Sequence, residues 1–269
     1  MSENVLKIQQ KDFNLEKAIE HIKQVLSDSN NFTTSENWSN LENLTFKNGT
    51  YIENTALFID IRKSSDFVSK NDSRIVARLY RAYISEVVMI LRSHHCCKEI
   101  NIVGDCISAV FTEDKKKSTN DYNGDRSDVI EALQSASMIQ PIIGIINKLF
   151  SEKYNDSYTP IKVGIGIASG KALIVKAGEP GSGINKPIFL GDNINLAAHL
   201  SDNANTNYDP VLVSESIIDN SKKYIANNER NESFSSWFTK EETKIDDQIF
   251  YSSVGFKRVN IANRLESKL

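Results

Sequence analysis

Asp60 interrupts the apolar run Ala56-Leu57-Phe58-Ile59-Asp60-Ile61, and Asp105 follows Asn101-Ile102-Val103-Gly104 at a tight turn. A carboxylate set among buried residues is costly unless it is paired or bound to a cation. If the second segment lies beside the first, both acids meet at one end of a sheet. Two carboxylates in one site suit a pair of divalent cations, a standard device for displacement at phosphorus. Each acid taken singly also has a plain structural reading, since Gly-Asp is a common hairpin turn and a strand-end Asp often caps a helix.

Two further segments carry polar groups suited to a nucleotide. Ile61-Arg62-Lys63-Ser64-Ser65 offers successive backbone N–H groups, two cations and two hydroxyls directly after a strand, a cradle for a polyphosphate at a helix start. No Gly-x-x-x-x-Gly-Lys-Ser/Thr is present, so this is not a P-loop, and Ser64-Ser65-Asp66 is equally an ordinary helix cap. In Gly191-Asp192-Asn193-Ile194-Asn195-Leu196-Ala197-Ala198-His199-Leu200, Asn195 and His199 stand four apart and share one helical face. Such a pair can meet a ribose and a phosphate, or can simply be solvated.

The elements that must position these residues follow from apolar spacing. Leu15, Ala18, Ile19, Ile22 and Leu26 predict an amphipathic helix near 13–28 within an Asn- and Ser-rich stretch, 1–50, read as an arm. Residues 51–256 read as one domain and 257–269 as a tail. A buried strand is expected at 56–61, and a helix over 72–95 on Ile75, Leu79, Ala82, Val87 and Leu91. A hairpin is expected at 100–103 and 106–111, turned at Gly104-Asp105. A polar loop covers 114–127, and a helix about 128–153 holds Pro141 as a point of bending. A second hairpin is expected from 161–167 and 172–176, turned at Ser169-Gly170. A Gly/Pro loop at 178–187 leads through Ile188-Phe189-Leu190-Gly191 into the helix from Asp192. Val211-Leu212-Val213, a helix after Ser214 and a strand at 249–254 finish the pattern. Two direct hairpins among alternating strands and helices favour an α+β fold with a mixed or antiparallel sheet.

Of 269 residues, 40% are apolar and 25% charged, an ordinary globular balance. Acids exceed bases by 35 − 32 = 3, a poor footing for general nucleic-acid binding. Three cysteines cannot form a closed disulfide framework, and none has zinc-site spacing. The stretch from Met138 to Phe150 carries Gln140, Asn147 and Lys148 and is too short to span a bilayer, and Met1-Ser2-Glu3-Asn4 lacks a signal peptide's basic start. A cytoplasmic protein without membrane or nucleic-acid partners is expected.

Phe58-Ile59-Asp60-Ile61-Arg62, Val103-Gly104-Asp105-Cys106-Ile107 and Gly191-x-x-Ile194-Asn195-x-Ala197-Ala198 occur in the order of class III nucleotide cyclases, which the chain resembles from about 54 to 254. The resemblance implies a ferredoxin-like α+β domain working as a homodimer with shared sites. Asp60, Asp105 and the Ile61 carbonyl would hold two ions, Mn²⁺ or Mg²⁺, and Asn195 would orient the ribose. The 3′-oxygen would attack the α-phosphorus and release pyrophosphate. Family purine cyclases read the base three residues before each key glycine, and here those residues are Asn101, before Gly104, and Ile188; neither purine code is present. His199 stands where the family has Arg for the transition state. The missing purine code, the Asp-Ile-Arg-Lys-Ser-Ser start and a stand-alone cytosolic chain are similar to the Pycsar pyrimidine nucleotide cyclases of anti-phage defence, whose cyclic nucleotide activates a separate effector. That likeness implies UTP as substrate, with CTP, a purine nucleotide or an inactive nucleotide-binding module as alternatives. It also places Phe58 beside the nucleotide and offers Lys240 or Lys244 to the triphosphate.

Overall fold

The computed structural model describes residues 12–27, 31–35, 38, 43–113, 125–222 and 238–253. In chain order the elements are α1 (Leu15–Ser27), β1 (Asn31–Thr34), β2 (Asn48–Ile61), α2 (Ser64–Lys70), α3 (Ser73–Arg92), β3 (Cys97–Val103), β4 (Cys106–Phe111) and α4 (Ser127–Tyr154). They continue with β5 (Val163–Gly178), β6 (Asn185–Leu190), α5 (Asp192–Asn203), β7 (Val211–Ser214), α6 (Glu215–Asp219), β8 (Phe238–Ile245) and β9 (Gln248–Ser253).

The strands form one mixed sheet in the order β3-β4-β2-β5-β7-β9-β8, with β1 beside β2 and β6 beside β5. Pairs β1–β2 and β5–β7 are parallel and the remainder antiparallel. Alternation along β2 sorts its side chains. Leu57, Ile59 and Ile61 join α3, α4 and α6 in the main core, whereas Ala56 and Phe58 pack toward α5 on the opposite face. Each fully buried Leu or Ile contributes ~1.5–3 kcal/mol to that core.

α5 lies unusually close to β5. A Cβ added to Gly166 would fall 2.1 Å from the Ala197 carbonyl oxygen, and one added to Gly164 would fall 2.6 Å from that of Ser201. Ala197 on the helix completes the small-residue contact. Gly170 meets Asn193 at the other end, so α5 runs along β5 with its C-terminal end over Gly164, the register partner of Asp60. Asn193 is buried and donates to Asn54 Oδ1 at 2.9 Å, anchoring the start of α5 to β2.

Several expectations need correction. There is no hairpin at Ser169-Gly170: β5 runs unbroken through both, because β2 begins at Asn48 and supplies partners to Val175. β2 therefore also crosses the expected boundary at residue 50. β6 takes residues 185–187 from the expected loop, and β8, which carries Lys240 and Lys244 on exposed positions, was not foreseen. Tyr83, not Ala82, fills the inward slot of α3. α4 continues through Pro141 as one 28-residue helix. It is long and apolar enough to cross a membrane, yet 61% of its most apolar window is buried inside the molecule. Of the loop expected at 114–127, residues 114–124 lie outside the described residues and Ser127 already opens α4; the tail at 257–269 also lies outside them. α1 matches the expected helix, but none of its residues is buried.

Candidate active site

The β3–β4 hairpin turns on two residues, with Gly104 at φ 64 in the left-handed region that favours glycine. Space around Gly104 is open, so the backbone angle alone calls for glycine there. Tyr83, fully buried on α3, donates to the Asp105 carbonyl at 3.0 Å and pins the turn. Pairing of β4 with β2 then carries Asp105 to the end of β2, where Asp60 sits.

The two carboxyl groups lie close enough to share a proton. Burial first, and the Asp105 charge second, push Asp60 up to about 6, against the opposing pull of Arg62. Asp105 Oδ2 is buried and finds no hydrogen-bond partner among the described residues. Arg62 partly compensates the pair. Its Nη2 donates to Asp60 Oδ2 at 2.8 Å and its Nη1 to the Asp202 carbonyl at 2.6 Å, with the side chain only 10% exposed. A bare carboxylate oxygen facing a second carboxylate is a donor set that fits a divalent cation. Cys106 lies beside them, its thiol raised to about 11 by burial and by the charges of both acids.

Asp60 opens onto a cleft of about 860 Å³ bordered by Ile61, Lys63, Ser64 and Ser65. Lys63 holds a left-handed conformation, φ 53 and ψ 41, at the start of α2. That kink turns the chain out of β2 and leaves Lys63 and the serines along the cleft. Arg62 borders the same cleft, but its guanidinium turns back to Asp60 and α5 and is not a free phosphate contact.

Residues 47–241 match the family model of the adenylate and guanylate cyclase catalytic domain. The chain belongs to that family. It is 38% identical to a uridylate cyclase of Gulbenkiania mobilis over 95% of this chain and 97% of the other. A uridylate cyclase of Treponema porcinum is 35% identical over 72% of this chain and 64% of its own length. The fold resembles that of the adenylyl cyclase CyaB from P. aeruginosa, with a TM-score of 0.61 over 78% of this chain and 97% of that one at 16% identity.

The remaining residues singled out in this cyclase fall into separate groups. Asn195 and His199 lie on the exposed face of α5, turned away from the sheet. His199 Nδ1 meets Asp246 Oδ2 at 2.5 Å. Asn101, Ser108, Phe58 and Gly166 form one row across β3, β4, β2 and β5. Ile188 pairs with Val175 near the far end of β5, in the row of Gly49. Asn101 and Ile188 therefore do not meet within one chain, and neither do the carboxylates and the exposed face of α5. Asp60 meets Asp105, and Asp60 also shares its cleft with Lys63, Ser64 and Ser65. Reading the sequence alone missed Tyr83, Asn193 and Asp246. Only Asp246 carried a signal, an Asp-Asp pair between two polar-apolar runs.

Proposed function

We propose that this cyclase is a uridylate cyclase, converting UTP to 3′,5′-cyclic UMP and pyrophosphate. The observation that carries this reading is 38% identity, over nearly the whole of both chains, to a uridylate cyclase, in a chain that keeps Asp60 and Asp105 side by side. Asp60, Asp105 and the Ile61 carbonyl would hold two Mn²⁺ or Mg²⁺ ions, which when bound neutralise triphosphate charge and acidify the ribose 3′-hydroxyl. Lys63, Ser64 and Ser65 line the cleft along which the triphosphate lies. Asn195 and His199, exposed on α5 and away from the carboxylates of their own chain, serve the site of a second copy. A homodimer with two shared sites follows, Asn195 orienting the ribose and His199 facing the phosphates. Asn101 and Phe58, in one row of the sheet, meet the base together with Ile188 of the other subunit. The product acts on a separate effector in anti-phage defence within the cytoplasm.

The test is product analysis after incubating the purified protein with each of the four NTPs and Mn²⁺. Cyclic UMP as the main product is expected. Cyclic CMP would change the base assignment, a cyclic purine nucleotide would overturn the pyrimidine reading, and nucleotide binding without turnover would make the domain an inactive binding module.

A further inference from the structure

We infer that Asp246 is a positioning residue for His199, an inference that rests on the cyclase reading above. β8 and β9 are joined by Asp246-Asp247 alone, with φ 51 and φ 59. Both central residues of this type I′ turn are left-handed, the position at which Asn-Gly is the least strained choice. An aspartate is at home in such a turn, so the turn does not require its carboxylate to reach across to another element, yet it does. Oδ2 accepts from His199 Nδ1 at 2.5 Å, across 47 residues of sequence. The side chains are 52% and 43% exposed, and an exposed pair of this kind contributes little to stability.

What the contact does is fix the ring. Imidazole can carry its proton on either nitrogen and can rotate about two bonds. An acceptor at Nδ1 places the proton there, holds the ring plane, and leaves Nε2 as the nitrogen offered outward from α5, on the face that also carries Asn195. The family's Arg presents several donors and needs no such guide, whereas a His in its place does. Asp246 thus belongs to the same functional unit as His199, although it lies on a different element.

Asp246→Gly tests this cleanly, because glycine adopts φ 51 without strain and so deletes the carboxylate while keeping the turn. With the product assay that establishes turnover, kcat is expected to fall at least about tenfold with KM little changed. Asp246→Asn, which keeps a neutral acceptor, restores most of the activity, and Asp247→Gly leaves it unaltered. His199→Ala and His199→Ala/Asp246→Gly are equally impaired, and in a His199→Arg background Asp246→Gly has no effect. Losses that multiply in the double variant, or Asp246→Gly with full activity, would overturn the proposal. Ring ¹⁵N spectra of His199 supply a readout free of turnover: Nδ1 is protonated in the native dimer, and the tautomers mix in Asp246→Gly. An unchanged spectrum overturns the pairing even if the chain makes cyclic UMP. Absence of turnover with an intact Nδ1–H signature instead overturns the cyclase reading alone.

Discussion

Asp60 and Asp105, forty-five positions apart in sequence, end within reach of one proton, with a single guanidinium from Arg62 on the Asp60 side and, among the described residues, no hydrogen-bond partner on Asp105 Oδ2. The arrangement is electrostatically incomplete without a cation, and the two acids are not equivalent. Asp60 has a cationic partner in Arg62, whereas Asp105 has only the neighbouring acid.

That asymmetry separates two substitutions. Asp105→Asn removes the repulsion and leaves the Arg62–Asp60 pair, so the chelator-treated protein gains stability, with Tm higher by about 2–4 °C. Asp60→Asn also removes an unfavourable charge but leaves a nearly buried Arg62 without its carboxylate, so its gain at neutral pH is the smaller of the two. Both lose turnover by about a thousandfold or more. Differential scanning fluorimetry and Mn²⁺ binding followed by electron paramagnetic resonance check the pattern, and a stable, metal-binding, active Asp105→Asn would remove it.

The pH dependence has a definite sign. Asp60 sits at about 6 in the fold against 3.8 in an unfolded chain, so the folded form binds its proton more tightly. Its stabilising share is complete below about pH 4 and is lost as pH rises through about 6. In chelator, wild type should lose Tm relative to Asp60→Asn between about pH 4.5 and pH 7. Mn²⁺ affinity should rise over the same interval, as the ion displaces that proton. Calorimetric titration at both ends of the range measures this directly.

The proposed sharing of sites between two subunits can be tested with mixed dimers. Asp60→Ala and Asn195→Ala subunits are each inactive as homodimers, but a heterodimer has one intact site and one doubly damaged site. Activity should return to about half the wild-type value per heterodimer. Dimers shown to mix by dual-tag purification yet remaining silent would mean that each chain builds its own site.

Two glycines should respond oppositely to alanine. Gly166→Ala drives a methyl group into the Ala197 carbonyl and should cost ~1–3 kcal/mol or more, lifting α5 and impairing turnover. Gly144, exposed inside α4 with open space around it, should gain ~0.5–1 kcal/mol as alanine. Urea midpoints resolve both.

The candidate residues were legible because their signals are local, and of them the fold brings Asp60 and Asp105 together. Asp60 breaks an apolar strand, Gly104-Asp105 punctuates two short runs, and Asn195 and His199 are set by helical spacing. What could not be read is set by tertiary pairing. Ser169-Gly170 looks like a turn, yet Thr55 and Asn54 of a longer β2 hold it extended, and Gly170 is small because Asn193 packs there. β8 is polar on its exposed positions and bulged between Lys240 and Lys244, so alternation is blurred. Arg62 reads as a phosphate cation until the fold shows Asp60 and the end of α5 competing for it.

The same guanidinium joins two things that otherwise answer to different masters. One hand of Arg62 holds the acid at the tip of β2, and the other holds the carbonyl that terminates the helix bearing Asn195 and His199. Two hydrogen bonds of one side chain thus tie the tip of β2 to the last turn of α5, so the acid and the helix cannot shift apart without breaking one of them.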